Sequence, residues 1–298
     1  MASGVLCRAA TPGAQHGAFL SIASHARAAV RPVADVLMPI LTRAGTSINY
    51  AVRGTGIPVL LLAPGGLQSS IAMWKGQPFD PWSKLPDDKF QLIAMDQRNA
   101  GSSHGPLGSG WDSMRDDQLA VLDEVGVDKC LLVGSCIGPS FMFSLMKHSP
   151  ARFPAAVMMQ PIGVAAHTTE PGHPWSGLNT DASSHWFGRW AQEMIASKRF
   201  EREPLARLEQ QLYHECPGPD FVFSASREEA AAISAKLLIF MGKDIYHPSN
   251  IARELARICP NAELVEKWRD ADYSPEVDAQ IETFLLEEGL ANSLYRFM

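Results

Sequence analysis

The sequence predicts an α/β fold built on one mostly parallel sheet. From Met38 onward, apolar segments of strand length alternate with patterns of helical period. The central segments read as continuous apolar runs, which is typical of parallel strands buried on both faces by helices. With 298 residues, of which 19% are charged, the chain is long enough for one such domain and a cap, and short for two independent domains.

Eight segments have the length and aliphatic character of strands. They are Pro39–Thr42, Ile48–Val52, Val59–Ala63, Phe90–Met95, Cys130–Val133, Ala155–Met159, Lys236–Met241 and Glu263–Val265. Helical patterns predict four helices packed on this eight-stranded sheet. They are Arg115–Val125, Pro139–Lys147, Ile251–Ile258 and Pro275–Glu287.

The alternation of strands and helices stops between Val164 and Ser234. This stretch contains only helical patterns, near His185–Ser197, Pro204–Tyr213 and Arg227–Ile233. Open α/β sheets bind their ligands at the carboxyl ends of the strands, so an insertion here predicts a helical lid over the site. We therefore expect a core of residues 38–163 and 235–298, a lid of residues 164–234 and an N-terminal extension of residues 1–37.

The composition excludes several classes of function. A net charge of −6 gives no reason to expect nucleic acid or an anionic membrane as a partner, and no apolar run is long enough to predict a membrane span. The five cysteines are scattered and form no Cys-x-x-Cys pair, which argues against a disulfide framework or a structural zinc site. We expect a small-molecule substrate and no cofactor, and we leave open whether the chain forms a homo-oligomer.

The first 34 residues differ from the rest in composition. They contain no Asp or Glu but include Arg8, Arg27 and Arg31 among many Ala and Ser residues. This resembles a transit peptide for a mitochondrion or plastid. The alternative is a disordered extension of a cytoplasmic protein, since Met38 can itself begin a complete domain. In either case we expect the residues up to Leu37 to be dispensable for folding.

The sharpest motif is Gly134-Ser135-Cys136-Ile137-Gly138, between a buried strand and a helix. A nucleophile elbow has the form Gly-x-nucleophile-x-Gly, because side chains at the glycine positions would collide with neighbouring backbone. The helix N-terminus that follows favours a thiolate at Cys136. Ser135 is not a competing nucleophile, since that register lacks both glycines. The alternative is a tight turn with a buried structural cysteine.

Residues from about Met38 to Leu286 resemble the α/β-hydrolase superfamily. Besides the elbow, three segments match landmarks of that family in the right order. They are Leu62-Ala63-Pro64-Gly65-Gly66, which stands at the oxyanion loop, Asp96-Gln97-Arg98-Asn99-Ala100-Gly101-Ser102-Ser103, and Gly242-Lys243-Asp244-Ile245-Tyr246-His247-Pro248, which stands at the acid loop. A cysteine elbow occurs in a minority of the family, including dienelactone hydrolases and polyhydroxyalkanoate synthases.

The resemblance implies roles for particular residues. The backbone N–H of Ile137 and one N–H at Gly66 or Leu67 would form the oxyanion hole. Asp244 matches the position of the catalytic acid. Side chains from the loops and the predicted lid complete the expected substrate pocket, although packing is the competing interpretation for its two tryptophans. The pocket residues are Gly65, Ser135, Trp186, Trp190, Tyr246 and Tyr273.

The chain departs from the family pattern after the last strand. The catalytic histidine of the family follows that strand, but Tyr273 stands at the equivalent position and no histidine occurs after His247. His247 lies three residues after Asp244 and is the candidate to pair with Cys136. The alternatives are a surface histidine that caps the helix near Pro248, or a base from the predicted lid. The lid histidines are His167, His173, His185 and His214.

These residues lead us to expect a hydrolase in which the Cys136 thiolate attacks a carbonyl carbon. A thiolate leaves more easily than an alkoxide, so the tetrahedral intermediate from an ordinary ester would collapse backwards. Activated esters, lactones and thioesters of small, partly apolar molecules are therefore the expected substrates. The incomplete pattern leaves two alternatives open: a lyase, isomerase or acyltransferase on the same scaffold, or a ligand-binding protein with a decayed triad.

Overall fold

The structure of the protein is a computed structural model that describes residues 38–163, 180–213, 221–244 and 246–294, with residues 180–186 described by their backbone alone. The N-terminal extension of residues 1–37 lies outside the described residues. So do His167, His173 and His214 of the predicted lid, and the side chain of His185.

The predicted eight-stranded sheet is confirmed. Its strands are β1 (Ile40–Arg43), β2 (Thr46–Arg53), β3 (Ile57–Leu62), β4 (Phe90–Met95), β5 (Leu131–Ser135), β6 (Ala155–Met159), β7 (Lys236–Phe240) and β8 (Ala262–Val265). They lie in the order β1-β2-β4-β3-β5-β6-β7-β8. The pairs β1–β2 and β2–β4 are antiparallel and all later pairs are parallel. The strands β3 to β8 are therefore all parallel, and their carboxyl ends meet at one edge of the sheet.

Apolar side chains explain why the centre of the sheet forms as it does. Every residue of β3, β5 and β6 is buried, as the continuous apolar runs predict. Successive residues of a strand point to opposite faces, so these strands contribute to two separate hydrophobic clusters. Helices cover both clusters because each face of a buried parallel sheet must be shielded from water.

The described helices agree with the predicted pattern to within a few residues at each end, apart from one short helix, α1, that has no counterpart in the prediction. They are α1 (Pro81–Lys84), α2 (Trp111–Glu124), α3 (Gly138–His148), α4 (Thr180–Ala196), α5 (Arg202–Tyr213), α6 (Arg227–Ala231), α7 (Ser249–Ile258) and α8 (Pro275–Ala291). Among the described residues, no helix is both long enough and apolar enough to cross a membrane.

Helices α4, α5 and α6 all lie between β6 and β7, where the sequence predicts the insertion. Hydrogen bonds join these helices to the core, and two of them hold α4 and α5. Trp111 Nε1 of α2 donates to the carbonyl oxygen of Leu212 in α5 over 2.9 Å, and Gln68 Nε2 donates to Glu193 Oε2 of α4 over 2.7 Å. The second bond ties α4 to the turn that follows β3, at the carboxyl edge of the sheet.

Candidate active site

The tight turn predicted at residues 134–138 lies between β5 and α3. Cys136 has a φ of 61°, a left-handed conformation that non-glycine residues rarely adopt. An added Cβ at Gly138 would lie 2.4 Å from the carbonyl oxygen of Leu62, and one at Gly134 would lie 2.7 Å from Met142 Cε. Both glycines are therefore needed because β3 and α3 approach the turn so closely.

Cys136 is free and only 5% exposed. Its backbone N–H donates to the carbonyl oxygen of Met159 at the end of β6 over 3.0 Å. The next residue, Ile137, caps the N-terminus of α3. Within the described part of the chain, the N–H of Ile137 donates to no other residue, and the same holds for the N–H groups of Gly66 and Leu67. Three unpaired donors thus occur in the two segments that flank the reaction centre in the family pattern.

The loop after β7 brings His247 to the same edge of the sheet. Asp244 Oδ1 lies 2.7 Å from His247 Nδ1 and accepts hydrogen bonds from the backbone N–H groups of Tyr246 and His247 over 3.0 Å each. The imidazole is mostly buried, with 13% of its side chain exposed. His247 is therefore not a surface histidine, and its ring is oriented by the carboxylate.

The second imidazole nitrogen faces the candidate nucleophile. His247 Nε2 is buried and has no partner of regular hydrogen-bond geometry among the described residues. Burial alone would lower the pKa of His247, but its electrostatic and hydrogen-bond interactions with Cys136 and Asp244 outweigh burial and raise it to about 9. Burial raises the pKa of Asp244, but the bond and charge of His247, the N–H of Tyr246 and the charge of Arg269 together outweigh burial and hold that pKa below its usual value. These contacts favour a protonated imidazole beside an ionised acid.

A cavity of about 500 Å³ is lined by Cys136 and His247. Of the residues that the sequence assigns to the substrate pocket, Gly65 and Tyr246 line it. Its wall also contains polar side chains that the sequence reasoning did not single out. They are Gln68, Gln77, Gln160, Arg189 and Glu193.

Two of the residues expected in the pocket, Ser135 and Trp190, do not line this cavity. Ser135 is 2% exposed, and its hydroxyl lies 3.4 Å from Gln160 Nε2. Trp190 is 2% exposed because it packs against Phe187 and Phe200. This packing role is the competing interpretation that the sequence left open for the two tryptophans of the predicted lid. The side chain of the other one, Trp186, lies outside the described residues.

Tyr273, at the position of the missing late histidine, also lies away from the cavity. Its hydroxyl donates to Asp278 and accepts a hydrogen bond from Lys84. These polar partners hold the ring beside α8, so it cannot act on Cys136. The loop after β8 instead brings Arg269 to the site, where its Nη1 lies 3.3 Å from Asp244 Oδ2. No sequence signal marked this arginine.

The Asp96 loop has a supporting role. Asp96 is 5% exposed and accepts hydrogen bonds from Asn49 Nδ2 and from the backbone N–H groups of Ile71 and Ser102, over 2.8 to 2.9 Å. These bonds fix the loop after β4 against its neighbours. Among the described residues, no group of three or more His, Cys, Asp or Glu side chains is placed to hold a metal ion.

Comparisons with known proteins identify the family and the fold. A family model described as "alpha/beta hydrolase fold" matches residues 58–274. The AB hydrolase superfamily protein YisY of Bacillus subtilis (strain 168) is 27% identical over 210 residues, which cover 61% of this chain and 75% of that protein. A putative non-heme haloperoxidase of Mycobacterium phage D29 is 27% identical over 116 residues, or 39% of this chain and 40% of that protein.

Solved structures are similar in fold. Est816, described as an N-acyl homoserine lactone degrading enzyme, has a TM-score of 0.53 at 23% identity, covering 83% of this chain and 98% of its own. The meta-cleavage product hydrolase CumD of Pseudomonas fluorescens IP01, as its S103A mutant, has a TM-score of 0.57 at 19% identity, covering 85% and 97%. At these identities the similarity is one of fold. The strand order, the elbow and the match over residues 58–274 together show that the chain belongs to the alpha/beta hydrolase fold family.

Proposed function

We propose that the protein hydrolyses activated esters, lactones or thioesters of small molecules through the Cys136 thiolate. The observation that carries this proposal is the loop after β7, which supplies both acid and base. Asp244 holds His247 Nδ1 at 2.7 Å, and the other imidazole nitrogen is buried towards Cys136. The missing late histidine is thereby replaced by one that comes before β8.

In the first half of the reaction, the Cys136 sulfur bonds to the carbonyl carbon of the substrate. The oxyanion that forms accepts hydrogen bonds from the free N–H of Ile137 and from that of Gly66 or Leu67. The bond to the leaving group then breaks, and His247 Nε2 gives its proton to the departing oxygen or sulfur. The product of this half is a thioester on Cys136.

In the second half, a water molecule gives a proton to His247 Nε2 and attacks the thioester carbon. The carbon–sulfur bond breaks, the acid product leaves, and the thiolate–imidazolium pair forms again. Asp244 remains ionised throughout and stabilises the imidazolium. Because the thiolate is the better leaving group at the first intermediate, activated substrates react faster than alkyl esters.

The wall of the cavity supports a substrate with polar groups beside the reacting carbonyl. Arg189 and Glu193 of α4 line this cavity together with Gly65, and Met73 is an apolar lining residue. We propose that α4 and α5 act as the lid of this site, since Glu193 is held to the core by Gln68. A small, partly polar acyl group fits a cavity of about 500 Å³.

The decisive experiment compares p-nitrophenyl acetate and a short acyl thioester as substrates for wild type, Cys136→Ala and His247→Gln. Because nucleophile and base act as one unit, both variants should lose activity to a similar extent, roughly 10³-fold or more. His104→Gln is the matched control, since His104 is exposed and lies outside the cavity. Full turnover by Cys136→Ala would refute the proposal.

The fate of the acyl group separates hydrolysis from the other reactions. Intact-protein mass spectrometry after mixing with the thioester should show an acyl adduct on wild type that decays in water. An adduct that persists until an added alcohol or amine removes it would identify an acyltransferase. No adduct and no turnover would favour the binding-protein hypothesis.

A further inference from the structure

The loop after β8 contacts the acid of the candidate site through Arg269. Its Nη1 lies 3.3 Å from Asp244 Oδ2 and also donates a hydrogen bond to Gln160 Oε1. The Arg269 side chain is only 20% exposed. Its guanidinium therefore lies between the acid loop and the end of β6, where it is largely shielded from water.

Gln160 is held in place more firmly than a surface glutamine would be. It follows β6 directly, is 5% exposed and has a φ of 43°. Its backbone N–H donates to the carbonyl oxygen of Phe240 over 2.7 Å, and its side-chain Nε2 lies 3.4 Å from Ser135 Oγ in the elbow. A side chain fixed at both ends offers a rigid acceptor for Arg269.

The contacts on Asp244 divide between its two oxygens. Oδ1 accepts from His247 Nδ1 and from the N–H groups of Tyr246 and His247, whereas Oδ2 faces Arg269. Asp244 is 36% exposed, so water would compete for Oδ2 if the arginine were absent. A carboxylate held at both oxygens keeps its orientation, and the imidazole bonded to it keeps its own.

We propose that Arg269 is a positioning residue that acts on His247 through Asp244, with Gln160 as its anchor. This inference rests on the proposed function in that His247 serves Cys136. In the family pattern, the loop after β8 supplies the histidine that serves the nucleophile. In this chain the same loop supplies Arg269, a cation that contacts the acid Asp244. The competing explanation is that Arg269 only balances the charge of its neighbour Asp270, 3.5 Å away.

The first test reads the Asp244–His247 bond without any turnover. In wild type, the His247 Nδ1 proton should give a resolved downfield NMR signal that exchanges slowly with water. Arg269→Gln should broaden or abolish this signal, and Arg269→Lys should retain it in part because a cation remains. Arg152→Gln is the matched control, since Arg152 is 23% exposed in an ion pair with Asp123. An unchanged signal in Arg269→Gln, or none in wild type, would overturn the proposal.

The second test uses the activated ester. Arg269→Gln should lower kcat about tenfold with KM within about twofold of wild type, because the base is misplaced while the cavity is intact. In an Asp244→Asn background the same substitution should cause no further loss. An equal loss in both backgrounds would show that Arg269 acts independently of Asp244.

The two tests also separate this proposal from the proposed function. If no ester is hydrolysed but the NMR signal responds to Arg269→Gln, the positioning role stands and the hydrolase proposal fails. If esters are hydrolysed and neither readout responds, only the positioning role fails. Should Arg269→Gln not fold, Gln160→Met removes the anchor and leaves the arginine in place. It is then expected to weaken the same signal, and an unaffected signal would again overturn the proposal.

Discussion

Replacing Gly138 with alanine tests the packing that forms the elbow. The added Cβ would lie 2.4 Å from the carbonyl oxygen of Leu62, about 1 Å closer than ordinary van der Waals contact. The carbonyl oxygen belongs to the backbone of β3, and the Cβ is bonded directly to the backbone at the start of α3, so no flexible side chain can move aside. The whole N-terminus of α3 must shift, and Cys136 with it.

The size of the effect follows from two opposing terms. Alanine in a helix is favoured over glycine by about 0.5–1 kcal/mol. Overpacking a rigid site by one carbon typically costs about 1–3 kcal/mol, and more where only backbone can yield. Because only backbone can yield here, the overpacking cost lies near the upper end of that range, and after the helix term is subtracted we expect Gly138→Ala to lower the free energy of unfolding by about 2 kcal/mol. Because Cys136 shifts relative to His247 and to the end of α3, its alkylation should also slow.

The assay is urea unfolding followed by tryptophan fluorescence, together with the rate of Cys136 alkylation by iodoacetamide. Gly188→Ala is the matched control, because Gly188 lies in helix α4 and an added Cβ there meets no atom within 4 Å. It should stabilise the protein slightly and leave alkylation unchanged. A Gly138→Ala protein as stable and as reactive as Gly188→Ala would refute the steric argument.

Three further predictions concern charge and burial. Asp244→Asn removes an anion beside the imidazole, so the pKa of His247 should fall from about 9. NMR titration of the ring protons would detect this fall, and an unchanged titration would contradict the pairing of Asp244 with His247. Burial raises the pKa of Cys130 to about 12, so iodoacetamide should label Cys136 long before Cys130 in the folded protein. Peptide mapping that finds the reverse order would count against a reactive elbow. Asp96→Ala leaves three donors without their acceptor, one in a buried bond and two in part-buried bonds, and should destabilise the protein by about 2 kcal/mol in urea unfolding. A loss below about 1 kcal/mol would show that water replaces the carboxylate.

Local patterns in the sequence were sufficient to predict the sheet. Continuous apolar runs mark β3, β5 and β6 because a strand buried on both faces has no position for a polar side chain. The elbow was predictable because its Gly-x-Cys-x-Gly pattern lies between a strand and a helix that are adjacent in the chain. The Leu62 carbonyl that crowds Gly138 belongs to β3, far away in the chain, and only the tertiary structure places it there.

The contacts around the acid required the tertiary structure. Asp244 and His247 are three residues apart, so their pairing was a natural hypothesis from the sequence. Arg269 and Gln160 are separated by 109 positions, and nothing in either local segment indicates that their side chains meet. Likewise, the position of Tyr273 suggested the pocket, but its hydroxyl is held by partners on α1 and α8.

The sequence by itself therefore determined the strands, the helices, the turn that presents Cys136 and the absence of a late histidine. Each of these depends on residues within one or two adjacent elements. Which side chains face Cys136 was decided only when the carboxyl ends of β5, β6, β7 and β8 met at one edge of the sheet. Parallel strands bring together residues that are far apart in the chain, and the distances between their side chains depend on sheet order and loop geometry, which no local pattern encodes.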